Sequence, residues 1–95
     1  MKINKQDIIK IINNTLYDML GYNITQALYF HICKITNKSM SELSNDLNSL
    51  MFGIQEIFKD ASKFIFDEIK KRIEVTYNIK MEGEDFLKWL NDITS

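Results

Sequence analysis

Between Gly53 and Gly83 the chain carries neither proline nor glycine, and most of that stretch repeats at the period of a helix. Ile54, Ile57, Phe58, Ala61, Phe64, Ile65, Glu68, Ile69 and Ile73 follow the i, i+3, i+4, i+7 spacing. At about 100° per residue these side chains fall on one stripe. Lys59, Lys63, Asp67, Lys70 and Lys71 lie largely off it. The pattern predicts a long helix over about residues 54–75, and a helix of roughly twenty residues is about 30 Å long. It cannot hide its own apolar stripe, so the rest of the chain must pack against it. Ile57, Phe58, Ala61, Phe64, Ile65 and Ile69 are expected to be buried together.

Ninety-five residues make one domain, residues 1–95, large enough for a single core. Hydrophobic residues are 45% and charged residues 26%, so the chain can fold and need not be disordered. One cysteine, Cys33, rules out an internal disulfide and favours a reducing compartment. The N-terminal residues lack the apolar core of a signal peptide, and no apolar run approaches the ~20 residues of a membrane span. The expectation is a cytoplasmic protein with no membrane attachment.

Other helices follow from local signals. Ile8, Ile9, Ile12, Leu16, Met19 and Leu20 share one face of a helix over about Lys5 to Leu20, started by Asn4 or Gln6-Asp7 and stopped by Gly21 in a left-handed conformation. Asn23 is then read as the cap of a second helix. Its inner face is read as Ile24, Ala27, Leu28, His31, Ile32 and Ile35, with Tyr29 and Phe30 flanking and Asn37 at its end. Ser39-Met40-Ser41-Glu42 spells a capping box, followed by weak helix formers that predict a short or broken helix. Gly53 is read as a bend before the long helix. Val75, Tyr77, Ile79 and Met81 alternate with polar residues, but no second strand exists to pair with them, so an extended connector or continued helix is expected. Glu84 and Asp85 open a last helix with Phe86, Leu87, Trp89, Leu90 and Ile93. The fold class is therefore all-α: about five helices packed around one long helix.

The chemistry-bearing residues are few. His31 and Cys33 are two apart on a helix, about 200° around its axis, so they cannot share a metal or form a nucleophile–base pair. The three glycines are thirty or so residues apart and form no phosphate loop. The cluster Glu82-Gly83-Glu84-Asp85 lacks the ligand spacing of a calcium loop. No catalytic, metal or cofactor residue is assigned, and an enzyme is not expected.

Net charge is −1, whereas nucleic-acid binding usually rests on a basic excess. Residues 1–40 carry a net +3, residues 41–56 a net −3 and residues 81–95 a net −3, so opposite charges could meet within the fold or between copies. Lys70, Lys71 and Arg72 form a short basic run. Eleven aromatic residues are the remaining feature. Phe64 and Phe66 are two apart and cannot both face the core. With Phe64 inside, Phe66 together with Tyr29, Phe30 and Trp89 makes a candidate interaction surface.

Leu20-Gly21 followed by Ala27-Leu28-Tyr29-Phe30-His31-Ile32 resembles the "LG…ALYYHLE" stretch of a small archaeal helical domain, the Nitrosopumilus output domain. The segment Glu56-Ile57-Phe58-Lys59-Asp60-Ala61-Ser62-Lys63-Phe64-Ile65 is similar to its "IFGEGAKII" stretch, with Lys59 and Ala61 at the two glycines and Ser62 at the alanine. The resemblance covers about residues 9–75. It implies an archaeal output or interaction module in signalling and brings no catalytic residues. Two readings follow: a non-enzymatic interaction module acting through an apolar helical surface or as a homodimer, or a small helical DNA-binding regulator with its basic residues on phosphate.

Overall fold

The computed structural model describes residues 2–95 and is 80% helical, with no strand among them. Five helical stretches form one compact domain, the fourth a run of 31 residues. The elements are α1 (Lys5–Leu20), α2 (Tyr22–Thr36), α3 (Met40–Leu43), α4 (Leu47–Phe58), a 3-10 turn (Lys59–Ala61), α5 (Ser62–Tyr77) and α6 (Phe86–Thr94). The long run joins α4, the 3-10 turn and α5. A straight helix of that length would measure about 46 Å, yet the molecule is only 33 Å in its longest direction. The run bends, and the bend is at Lys59, whose backbone takes φ 51° and ψ −125°.

That bend resets the helical phase. On α5 the buried side chains are Ser62, Ile65, Ile69 and Ile73, while Ala61 is exposed and Phe64 is 73% exposed. Ile57 and Phe58 are half-buried. A single unbroken stripe would have carried Ala61 and Phe64 inward; a reversal of one residue's φ turns α5 so that Ser62 takes the inner place. The Ser62 hydroxyl donates to the Lys59 carbonyl at 2.6 Å and is thereby satisfied.

α1 lies between α5 and α2, and α2 packs on α4. Ile8, Ile12 and Leu16 of α1 meet a core completed by Ile32, Leu50, Ile54, Ile69, Ile73 and Leu90, all essentially without solvent contact. The connection from α1 to α2 is the single residue Gly21, with φ 83° and its N–H donating to the Tyr17 carbonyl at 2.9 Å. Because the chain re-enters helix at Tyr22, Gly21 both ends α1 and precedes α2, and Asn23 sits inside the first turn rather than capping it. The buried Thr25 hydroxyl donates to the Leu16 carbonyl at 3.1 Å and locks the two helices at this corner.

Gly53 lies inside α4, buried, and does not bend it. A Cβ at that position would stand 2.4 Å from Ile32 Cγ2 and 2.6 Å from Ile32 Cγ1. The missing side chain is what lets α2 and α4 approach.

The capping box forms as the spacing predicts: Glu42 N–H donates to Ser39 Oγ at 3.1 Å and Ser39 N–H to Glu42 Oε1 at 3.0 Å. The second bond holds the Glu42 carboxyl below its ordinary range. α3 is one turn long, as its weak helix formers predict. Asp46 caps α4 through a 3.0 Å bond from Ser49 N–H.

α5 ends at Asn78 in a left-handed conformation. The chain then leaves the helix, with Ile79 and Met81 half-buried and Lys80 and Glu82 outside, whereas Val75 and Tyr77 of the same alternation lie on α5, Val75 being exposed. Glu74 pins this connector, its carbonyl accepting from Ile79 N–H at 3.1 Å and its carboxylate from Met81 N–H at 2.8 Å. Asp85 caps α6 through Lys88 N–H at 3.0 Å. Ile3 N–H donates to the Ile93 carbonyl at 2.7 Å, tying α6 to the N-terminal segment.

Candidate functional site

α2 carries apolar side chains around nearly its whole circumference. Thr25, Leu28, Tyr29 and Ile32 form the buried face. Ile24, Ala27, His31 and Ile35, read from the sequence as the inner face, lie outside: Ile24 is 58% exposed and Ile35 44%. The reason is tertiary. Gly53 admits Ile32, and the Thr25–Leu16 bond fixes the rotation of α2, so the face centred on Ile24 and Ile35 turns to solvent.

Of the four candidate surface residues, Phe30 is where the sequence placed it. It is 64% exposed, and Lys34 Nζ lies 5.0 Å from its ring centroid in a cation–π contact. Tyr29 is not on the surface but 6% exposed. It stands one turn from Thr25 on the buried face, with its hydroxyl donating to Asn13 Oδ1. Burial, with a smaller contribution from neighbouring Tyr17, pushes that hydroxyl above the ordinary tyrosine range.

Phe66 and Trp89 are brought together through a residue not singled out as surface. Phe66 and Phe86 rings are 5.5 Å apart, and Phe86 and Trp89 rings 6.0 Å. Trp89 is the inner end of this row, 6% exposed, because α6 lays it against the core. Phe66 and Phe86 are half-buried and floor a groove of about 410 Å³ between α4, α5 and α6, with exposed Phe52 and Leu87 at its sides. Thus Tyr29 and Trp89 belong to the core, Phe66 to a groove and Phe30 to the outer face of α2.

His31 is exposed, and Cys33 is half-buried with its sulfur 3.4 Å from the Met40 sulfur. Among the described residues no group of three His, Cys, Asp or Glu side chains stands together as metal ligands would. In the basic run, the Arg72 guanidinium is taken by Asp18 at 2.7 Å and Glu68 at 3.0 Å, binding α5 to α1. No described helix is long and apolar enough to cross a membrane.

No family model matches the chain, and no curated protein or solved structure matches it either.

Proposed function

We propose that this chain is a non-enzymatic interaction module of the signalling-output kind, and that it acts by self-association through the outer face of α2. One observation carries the reading. The solvent side of α2 presents Ile24, Ala27, Phe30 and Ile35 around His31, with Lys34 the single formal charge in fifteen residues. Large apolar side chains grouped in solvent along one helix are candidates for a contact surface.

A second copy is the occupant that the chemistry favours. The face offers no acid and one cation, so a charged partner finds little to pair with, whereas an isologous contact needs only self-complementary shape. Two α2 helices placed antiparallel across a two-fold axis bring Ile24 of one copy beside Ile35 of the other, with Ala27 and His31 near the crossing. The resemblance to the archaeal output domain supports the same reading. Lys59 takes a positive φ where that family's motif carries glycine. For the DNA-binding alternative, Arg72 is engaged with Asp18 and Glu68, which leaves a basic run of two lysines.

Sedimentation equilibrium tests the proposal. The wild type is expected to dimerise by about 100 μM, roughly −5.5 kcal/mol, and Ile24→Glu to be monomeric, with Phe66→Glu still dimeric. A monomeric wild type at that concentration removes the self-association reading. Loss of the dimer in Phe66→Glu but not Ile24→Glu moves the interface to the α4–α6 groove.

A further inference from the structure

Tyr29 faces inward, and with Asn13, Tyr17 and Gln26 it forms the polar wall of a half-open cavity of about 180 Å³ between α1, α2 and α3. Ile9, Leu43 and Leu50 form the apolar wall, and Met40 and Ser44 stand at its α3 side. No Asp, Glu, Lys or Arg lines it. Gln26 Nε2 donates to the Tyr17 hydroxyl at 2.5 Å, and the Tyr29 hydroxyl donates to Asn13 Oδ1.

These two bonds leave capacity unspent. The Tyr17 O–H and the Asn13 amide N–H groups remain as donors; Gln26 Oε1 and the Tyr29 hydroxyl oxygen remain as acceptors. Asn13, Tyr17 and Gln26 are half-buried, so this capacity faces the open side of the cavity and is available to a molecule that enters it. Donors and acceptors set side by side complement a group that also carries both, such as a carboxamide or a lactam. The size matches one ring, since a cavity of about 150 Å³ accommodates benzene. The absence of charge selects against ions, which would lose their hydration with no counter-charge in return.

The geometry points to this cavity as a binding site for a small, uncharged, single-ring molecule with a carboxamide or lactam edge. The ring lies against Ile9, Leu43 and Leu50, and the amide edge meets Asn13, Tyr17, Gln26 and Tyr29. The site is on the inner side of α2 and is independent of the self-association proposed for its outer face.

Two-dimensional ¹H–¹⁵N spectra of the whole chain, titrated with benzamide and with nicotinamide, test the site. Benzoate and benzylamine serve as charged counterparts and toluene as the apolar one. Saturable shifts of the Asn13 and Gln26 side-chain amides are expected with the two carboxamides, and at least about tenfold weaker binding of the other three probes, the loss expected when a polar group is left unmatched. Tyr29→Phe removes a core hydroxyl and Gln26→Leu alters a half-buried position. Each is expected to weaken carboxamide binding by about tenfold or more while signal dispersion is retained. The proposal is overturned by the absence of saturable shifts with either carboxamide at about 10 mM, above the millimolar affinity open to fragments of this size. Equal binding of benzoate or benzylamine overturns it too, as does undiminished affinity in a folded Gln26→Leu variant.

Discussion

Lys59 holds the most costly backbone conformation in the molecule. Its φ of 51° and ψ of −125° match the first central position of a type II′ turn, where glycine is the ordinary occupant because it has no Cβ. Such a conformation costs a residue with a side chain of order 1–3 kcal/mol. The exposed ion pair with Glu56, 3.7 Å long, offsets little of that. Lys59→Gly should therefore stabilise the fold by roughly 0.5–2 kcal/mol, the relieved strain less the added freedom of glycine in the unfolded chain. Lys59→Ala, which keeps a Cβ, should leave the urea midpoint nearly unchanged. Equal midpoints for the two variants would show that the bend is not strained. From the sequence, Lys59 reads as a solvated helix position, because propensity and periodicity do not register the sign of one φ.

At the scale of elements, the contact of α2 with α4 depends on an absent side chain. Alanine is the better helix former at an interior position by about 1 kcal/mol. At Gly53 its Cβ would stand 2.4 Å from Ile32 Cγ2 and 3.0 Å from Ile32 Cβ. Ile32 cannot step aside, since a β-branched residue in a helix has one strongly preferred rotamer and this one is fully buried. Overpacking costs about 1–3 kcal/mol and outweighs the propensity gain. Gly53→Ala is therefore expected to lower the thermal midpoint in the wild type and to cost less in an Ile32→Ala background. Additive effects in that double-mutant cycle would separate Gly53 from Ile32. Helix positions, the capping box, the Gly21 stop and the end of α2 at Asn37 follow from local sequence, because each is decided within a few residues. The inner face of α2 does not. Its wheel carries apolar groups on both sides, and the choice between them is made by α4.

The whole molecule encloses one core, and α6 is its last contributor. Trp89 and Leu90 are buried, Ile93 packs against the core and its carbonyl accepts from Ile3. Trp89 is the only tryptophan. Its fluorescence should therefore report the same cooperative transition as helical circular dichroism, with coincident urea midpoints, as two-state unfolding of a small domain requires. A fluorescence midpoint clearly below the dichroism midpoint would mean that α6 leaves the core before the rest unfolds.

Fold class, helix number and most helix ends were determined by the sequence alone, because they rest on periodicity, glycine placement and capping pairs within a turn of the chain. Rotation about the helix axes was decided only by tertiary structure. The bend at Lys59 turned Phe64 outward and Phe66 toward Phe86, and the close approach at Gly53 turned Ile32 inward and Ile24 outward. Tyr29 and Trp89 moved from candidate surface to core for the same reason. A helical pattern specifies which residues share a face, but with apolar groups on several faces only packing against other helices selects the one that is buried.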